Sequence, residues 1–174
     1  VSNSVFRNIE GTDRGSGAIA VLKGHVSSVN TDYDNCRATG DHWEQKAMNP
    51  LWVTGKRKSY GGAIYLAGEG CELELNGGKI ASCWARTYGG GIYAARESSV
   101  SVRGALTVKG NTAKSSVTEY DDIHLENTKS ILSLTGELTV EDAVGVHYFG
   151  TGDGKGNEIG DIFAAVADGV DKPT

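Results

Sequence analysis

One short motif recurs along the chain and constrains its fold more than any other feature: a pair or trio of small residues, then an isoleucine opening an alternating strand. Its copies are Gly15-Ser16-Gly17-Ala18-Ile19-Ala20, Gly61-Gly62-Ala63-Ile64-Tyr65-Leu66, Gly89-Gly90-Gly91-Ile92-Tyr93-Ala94 and a looser Asp121-Asp122-Ile123-His124-Leu125. Ile64 and Ile92 lie 28 residues apart, and Ile92 and Ile123 lie 31 apart. A repeat of this length is one supersecondary unit that buries its apolar face only by stacking on a neighbour.

Two further segments with period-two alternation follow each copy from the second onward. They are Cys71–Leu75 and Lys79–Cys83, then Val100–Val102 and Ala105–Val108, then Ile131–Leu134 and Leu138–Val140. Glycines and asparagines at 76–78, 104, 110–111 and 136 punctuate them, as tight corners require. Three strands per unit predict an all-β chain, a right-handed parallel β-helix of about four coils. Matching positions then form ladders about 4.8 Å apart, with Ile19, Ile64, Ile92 and Ile123 in one internal ladder. Propeller blades need about 40 residues and four strands, and a sandwich does not explain the recurring Gly-Gly-x-Ile-Tyr block.

Tyr60-Gly61-Gly62-Ala63-Ile64-Tyr65, Tyr88-Gly89-Gly90-Gly91-Ile92-Tyr93 and Val108-Lys109-Gly110-Asn111-Thr112-Ala113 resemble the repeats of large β-helical surface proteins of Gram-positive, often gut-dwelling bacteria. The stretch from Asp121 to Leu138 resembles the last unit of such arrays. The resemblance is good over about 60–140 and loose over 1–40. It implies an extracellular or cell-surface location. Similar coils occur in adhesins and in polysaccharide-degrading enzymes, so it implies fold better than activity.

Composition narrows the remaining classes. A net charge of -5 over 174 residues, with no basic face in the pattern, argues against nucleic acid as a partner. No apolar run approaches the about 20 residues of a membrane helix, so no membrane span is expected. The histidines His25, His42, His124 and His147 are isolated, and the calcium-like Gly152–Asp161 stretch has Lys155 where an oxygen ligand should be and is followed by Ala164 where the bidentate Glu should be. No metal and no cofactor is expected.

The interval from Ile19 to Ile64 is 45 residues, so an insertion interrupts the repeat at about 41–59. Insertions in solenoids project from one face and often carry binding. Trp43 and Trp52 are candidate stacking platforms for sugar rings, with His42 and Glu44 as polar contacts; the alternative is that the tryptophans fold back over the coil edge. Asp32, Asp34 and Asp41 are the candidate acid and base groups of a glycosidase or lyase, against a reading as solvated turn carboxylates. The expected partners are a glycan or host-surface ligand and flanking domains of a larger chain.

Cys36 and Cys83 hold similar places near the ends of their coils, where stacking brings them within disulfide reach. Packed, reduced thiols are the expected state. The chain divides into a β-helix over 1–150 and a C-terminal cap or linker over 151–174. The segment 137–174 is acidic, and its apolar residues at 159, 162, 163 and 166 suit a short amphipathic capping helix.

Overall fold

The structure is a computed structural model that describes residues 1–12, 16–40, 42–43, 57–114, 121–127, 129–140, 146–148 and 164–166. Among them every secondary element is a β-strand. Two strands precede the first motif, β1 (Val5–Arg7) and β2 (Glu10–Gly11). The first full coil is β3 (Ile19–Val21), β4 (Gly24–Asp34) and β5 (Arg37–Ala38), followed by β6 (His42–Trp43) and β7 (Arg57–Lys58) in the insertion. The second is β8 (Ile64–Leu66), β9 (Cys71–Ala81) and β10 (Trp84–Ala85); the third is β11 (Ile92–Ala94), β12 (Ser99–Lys109) and β13 (Thr112–Ala113). Then come β14 (Ile123–Leu125), β15 (Ile131–Val140), β16 (Val146–Tyr148) and β17 (Ala164–Val166).

These strands form three parallel sheets, in the orders β1-β4-β9-β12-β15-β17, β13-β10-β5-β2 and β16-β14-β11-β8-β3. Successive coils therefore lie on one another as a parallel β-helix of about four coils. The isoleucine ladder is in register from Ile19 through Ile64, Ile92 and Ile123, and Val146 continues it. Leu73, Val100 and Leu132 form a second internal ladder across the long sheet. Phe6 and Tyr33 stack with ring centroids 5.2 Å apart and close the core toward the first strands. Each ladder buries branched or aromatic side chains against their own kind, the packing that stabilises a sheet face.

The motif glycines have two separate duties. Gly61 and Gly89 adopt positive φ, 65° and 68°, where an L side chain is strained. Gly62 and Gly90 instead sit against the neighbouring coil: a Cβ on Gly62 would lie 2.0 Å from the Gly90 carbonyl oxygen, and one on Gly90 2.3 Å from the Thr112 nitrogen. Only a residue without a side chain permits that approach.

The structure differs from the sequence expectation in two places. The second and third strands of each unit, expected as separate, run as one bent strand of 10 or 11 residues. Left-handed residues at the bend, Asn30, Gly77 and Gly104, turn the chain while hydrogen bonding resumes beyond it. The third face is built by the shorter β5, β10 and β13. The capping helix is also not formed where residues are described: Ala164–Val166 is a strand paired in parallel with Leu132–Leu134. The open hydrogen-bonding edge of β15 satisfies that backbone.

Candidate functional site

The insertion leaves and re-enters the solenoid through a neck. Residues 47 apart are in register before it, as with Arg37 and Trp84, and 28 apart after it, as with Tyr60 and Tyr88. β6 and β7 pair antiparallel, His42 with Lys58 and Trp43 with Arg57, the one antiparallel pair among the described strands. Below the pair, fully buried Ser59 ties the two ends together. Its hydroxyl donates to the Ala38 carbonyl at 2.6 Å, its N–H donates to Thr87 Oγ1 at 3.0 Å, and its carbonyl accepts from the Thr87 N–H at 2.9 Å. Thr39 is held the same way, its carbonyl accepting from Arg86 Nε at 3.2 Å. Of the predicted recognition residues, His42 and Trp43 lie in β6, while Glu44 and Trp52 lie outside the described residues.

Asp32 and Asp34 occupy the outer side of β4, flanking Tyr33, whose ring is wholly buried. Asp34 Oδ2 accepts from Arg7 Nε at 2.9 Å. Asp32 is in register with Val5 and Lys79. Asp41 lies outside the described residues, so the predicted acid and base set is represented by these two groups. Asp34 is engaged in an ion pair, which suits a structural carboxylate.

A further cluster stands beside the neck. Tyr65, Tyr93 and His124 are successive rungs on the outer side of the sheet that carries the isoleucine ladder. Tyr65 and Tyr93 have centroids 5.9 Å apart, and Tyr93 stacks on His124 at 5.2 Å. Tyr60, the second residue after the neck, lies 4.3 Å from the Tyr93 centroid, and Tyr88 stacks on His124 at 4.7 Å. Because these rings cover one another's faces, the column is a wall beside the neck's exit. Burial pushes the Tyr93 and Tyr65 phenols above their ordinary pKa, and the Glu126 carboxylate adds to the shift. Both phenols stay neutral across the physiological range. Sequence reasoning treated these tyrosines as part of the repeat and missed the column. The signal was present, since Tyr60 and Tyr65 recur 28 residues on as Tyr88 and Tyr93.

At the column's upper end the fourth motif copy replaces glycines by aspartates. Asp121 Oδ2 accepts the Gly89 N–H at 2.8 Å, and its Oδ1 lies 3.3 Å from His124 Nδ1. Asp122 Oδ1 accepts from the Asn111 backbone at 3.0 Å and from Asn111 Nδ2 at 2.7 Å. Asn111 Oδ1 in turn accepts the Cys83 N–H at 2.9 Å. The carboxylates here satisfy backbone donors at a buried corner, as the Tyr88 carbonyl does for the Gly61 N–H one coil earlier. All four of Asn111, Asp121, Asp122 and His124 are buried, so the histidine and its aspartate do not meet solvent as an acid and base pair would.

On the outer side of the long sheet, His25 Nδ1 lies 3.4 Å from Glu72, and Glu74 bonds Arg103 at 2.6 Å and Ser27 at 3.0 Å. This is an exposed polar ladder. Among the described residues no group of three or more His, Cys, Asp or Glu side chains is placed to hold a metal ion, and no helix is long and apolar enough to cross a membrane. Compared with known protein families, curated proteins and solved structures, the chain matches none.

Proposed function

We propose that this chain is an extracellular structural or glycan-binding module of a bacterial surface protein, with the coils as scaffold and the 41–59 insertion as the recognition element. One observation supports this reading above the others. A regular stack of parallel rungs is interrupted once among its described coils, and the interruption is rooted in buried hydrogen bonds at Ser59 and a two-stranded neck. A loop that merely strayed from the solenoid would not need such anchoring. Trp43 and Trp52 bring to that segment the flat apolar surface on which sugar rings stack, and Arg57, Lys58 and Lys56 suit an acidic glycan. The cell-surface setting rests on the likeness of the Gly-Gly-x-Ile-Tyr units to bacterial surface repeats. The acid and base reading has less behind it, because Asp34 is paired with Arg7.

The test is binding to a glycan array, including uronic acid polymers, by the chain and by Trp43→Ala and Trp52→Ala. Binding lost in both variants, with the circular dichroism spectrum retained, is the expected result. Release of reducing ends that persists in the tryptophan variants and disappears in Asp34→Asn would replace the binding module by a carbohydrate-active enzyme. Neither binding nor turnover would leave a scaffold without a ligand.

A further inference from the structure

Cys36 and Cys83 occupy the same position on adjacent coils. The ladders on either side fix this: Asp34 is in register with Ala81 and Arg37 with Trp84, so the two corners between them superimpose along the stack. Each cysteine follows a left-handed residue, Asn35 at φ 50° and Ser82 at φ 56°, and each thiol faces the carbonyl two residues earlier, Asp34 at 3.7 Å and Ala81 at 3.3 Å. The two corners are thus built alike and aim both side chains into the core, where both are buried. Neighbouring parallel rungs lie about 4.8 Å apart, inside the Cα separation of about 4.4–6.8 Å that a disulfide spans. The Cβ atoms have to close to about 3.8 Å, a movement of about 1 Å.

We infer that Cys36 and Cys83 form a covalent cross-link site, an inter-coil disulfide made by exchange with a disulfide oxidant such as oxidised glutathione or a disulfide-form thiol oxidoreductase. The Cys36 thiolate attacks one sulfur of the oxidant and expels the other as a thiolate, leaving a mixed disulfide. Deprotonated Cys83 then attacks the Cys36 sulfur and expels the second thiolate. The protein loses two protons and two electrons; the oxidant's disulfide is reduced to two thiols. The same balance holds with Cys83 as the first attacking sulfur. Since both sulfurs are buried in the finished stack, exchange takes place while the second coil is docking on the first. Cys71 is the internal control. It sits at another corner, opposite Gly24, and its thiol donates to the Val21 carbonyl at 3.2 Å.

The bond would close the chain around the whole insertion, from 36 to 83. To test it, the chain is unfolded and refolded with oxidised glutathione, then denatured for thiol counting and peptide mapping. One free thiol, on Cys71, and a peptide pair joined through Cys36 and Cys83 at 2 mass units below its reduced sum are expected. The oxidised form should melt about 5–15 °C above the reduced form, a gain absent in Cys36→Ser and kept in Cys71→Ser. Three free thiols after refolding, or a cross-link through Cys71, would overturn the assignment. The thiol count and the map need no variant, so a misfolded Cys36→Ser leaves the test intact.

Discussion

At the scale of single residues, the motif's second glycine and its tyrosine make separable demands. Gly62 is excluded from bearing a side chain by backbone, with the Gly90 oxygen 2.0 Å and the Trp84 nitrogen 2.6 Å from where a Cβ would stand. Backbone cannot swing aside as a side chain does, so Gly62→Ala has to push adjacent coils apart. It is expected to cost at least about 2 kcal/mol in urea unfolding. Tyr93 and Tyr33, 4% and 0% exposed, make a different prediction. Burial raises both phenol pKa values above the ordinary 10.0, so the folded state holds these protons more tightly than the unfolded chain. The stability they contribute is complete below about pH 10 and is lost as the pH rises beyond it, at up to about 1.4 kcal/mol per pH unit for each phenol. Urea midpoints measured from pH 9 to 11.5 should fall accordingly, with a shallower fall in Tyr93→Phe. A flat profile would mean the rings are solvated in the folded state. The glycine duty was visible in the sequence as a repeat, but its cause was not, because close approach to a neighbouring coil involves backbone that no local pattern describes.

At the scale of elements, the register around the insertion allows its removal to be designed. Thr39 and Ser59 stand against Arg86 and Thr87 of the next coil, where no residue intervenes. Deleting residues 40–58 joins Thr39 to Ser59 in the geometry that the Arg86-Thr87 step already has. The shortened chain is expected to keep its β-sheet spectrum and to unfold within about 1 kcal/mol of the full chain, while losing any glycan binding. Collapse of the fold would show that the insertion is part of the core. Much at this scale was legible: the inward alternation of Cys71, Leu73 and Leu75, the isoleucine ladder and the break in the repeat all follow from side-chain period. What escaped was set by partners distant in sequence. The bend at Gly77 preserves the strand because Thr31 and Leu106 pair with Gly78 beyond it. Ala164–Val166 becomes a strand because β15 offers an edge. The candidate site was legible only as a location. Its tryptophans and Asp41 stand out by composition, whereas the Ser59 anchor and the tyrosine column depend on which residues of adjacent coils face each other.

For the whole molecule, a stack in which each coil touches only its neighbours stores stability unevenly. β9 and β12 are bounded by long strands on both sides, whereas among the described strands β1 and β17 each pair with one other, over three residues. Amide hydrogen exchange should therefore be slowest in β9 and β12 and quicken toward both ends. Leu73→Ala, emptying a fully buried position of the middle coil, is expected to cost about 3 kcal/mol and to raise exchange in both adjacent coils. Uniform protection from β1 to β17 would contradict nearest-neighbour stacking.

The neck also decides how the molecule would carry a load. A pull on the insertion reaches β6 and β7 before the coils, and an antiparallel pair whose strands are drawn apart yields one rung at a time, like a zip. The force then arrives at Ser59, whose bonds run both to Ala38 on its own coil and to Thr87 on the next. Beyond that point tension is spread along parallel rungs that must slide together rather than peel. A tether rooted in this way has a soft outer section that gives early and a stiff base that keeps the coils assembled while it does.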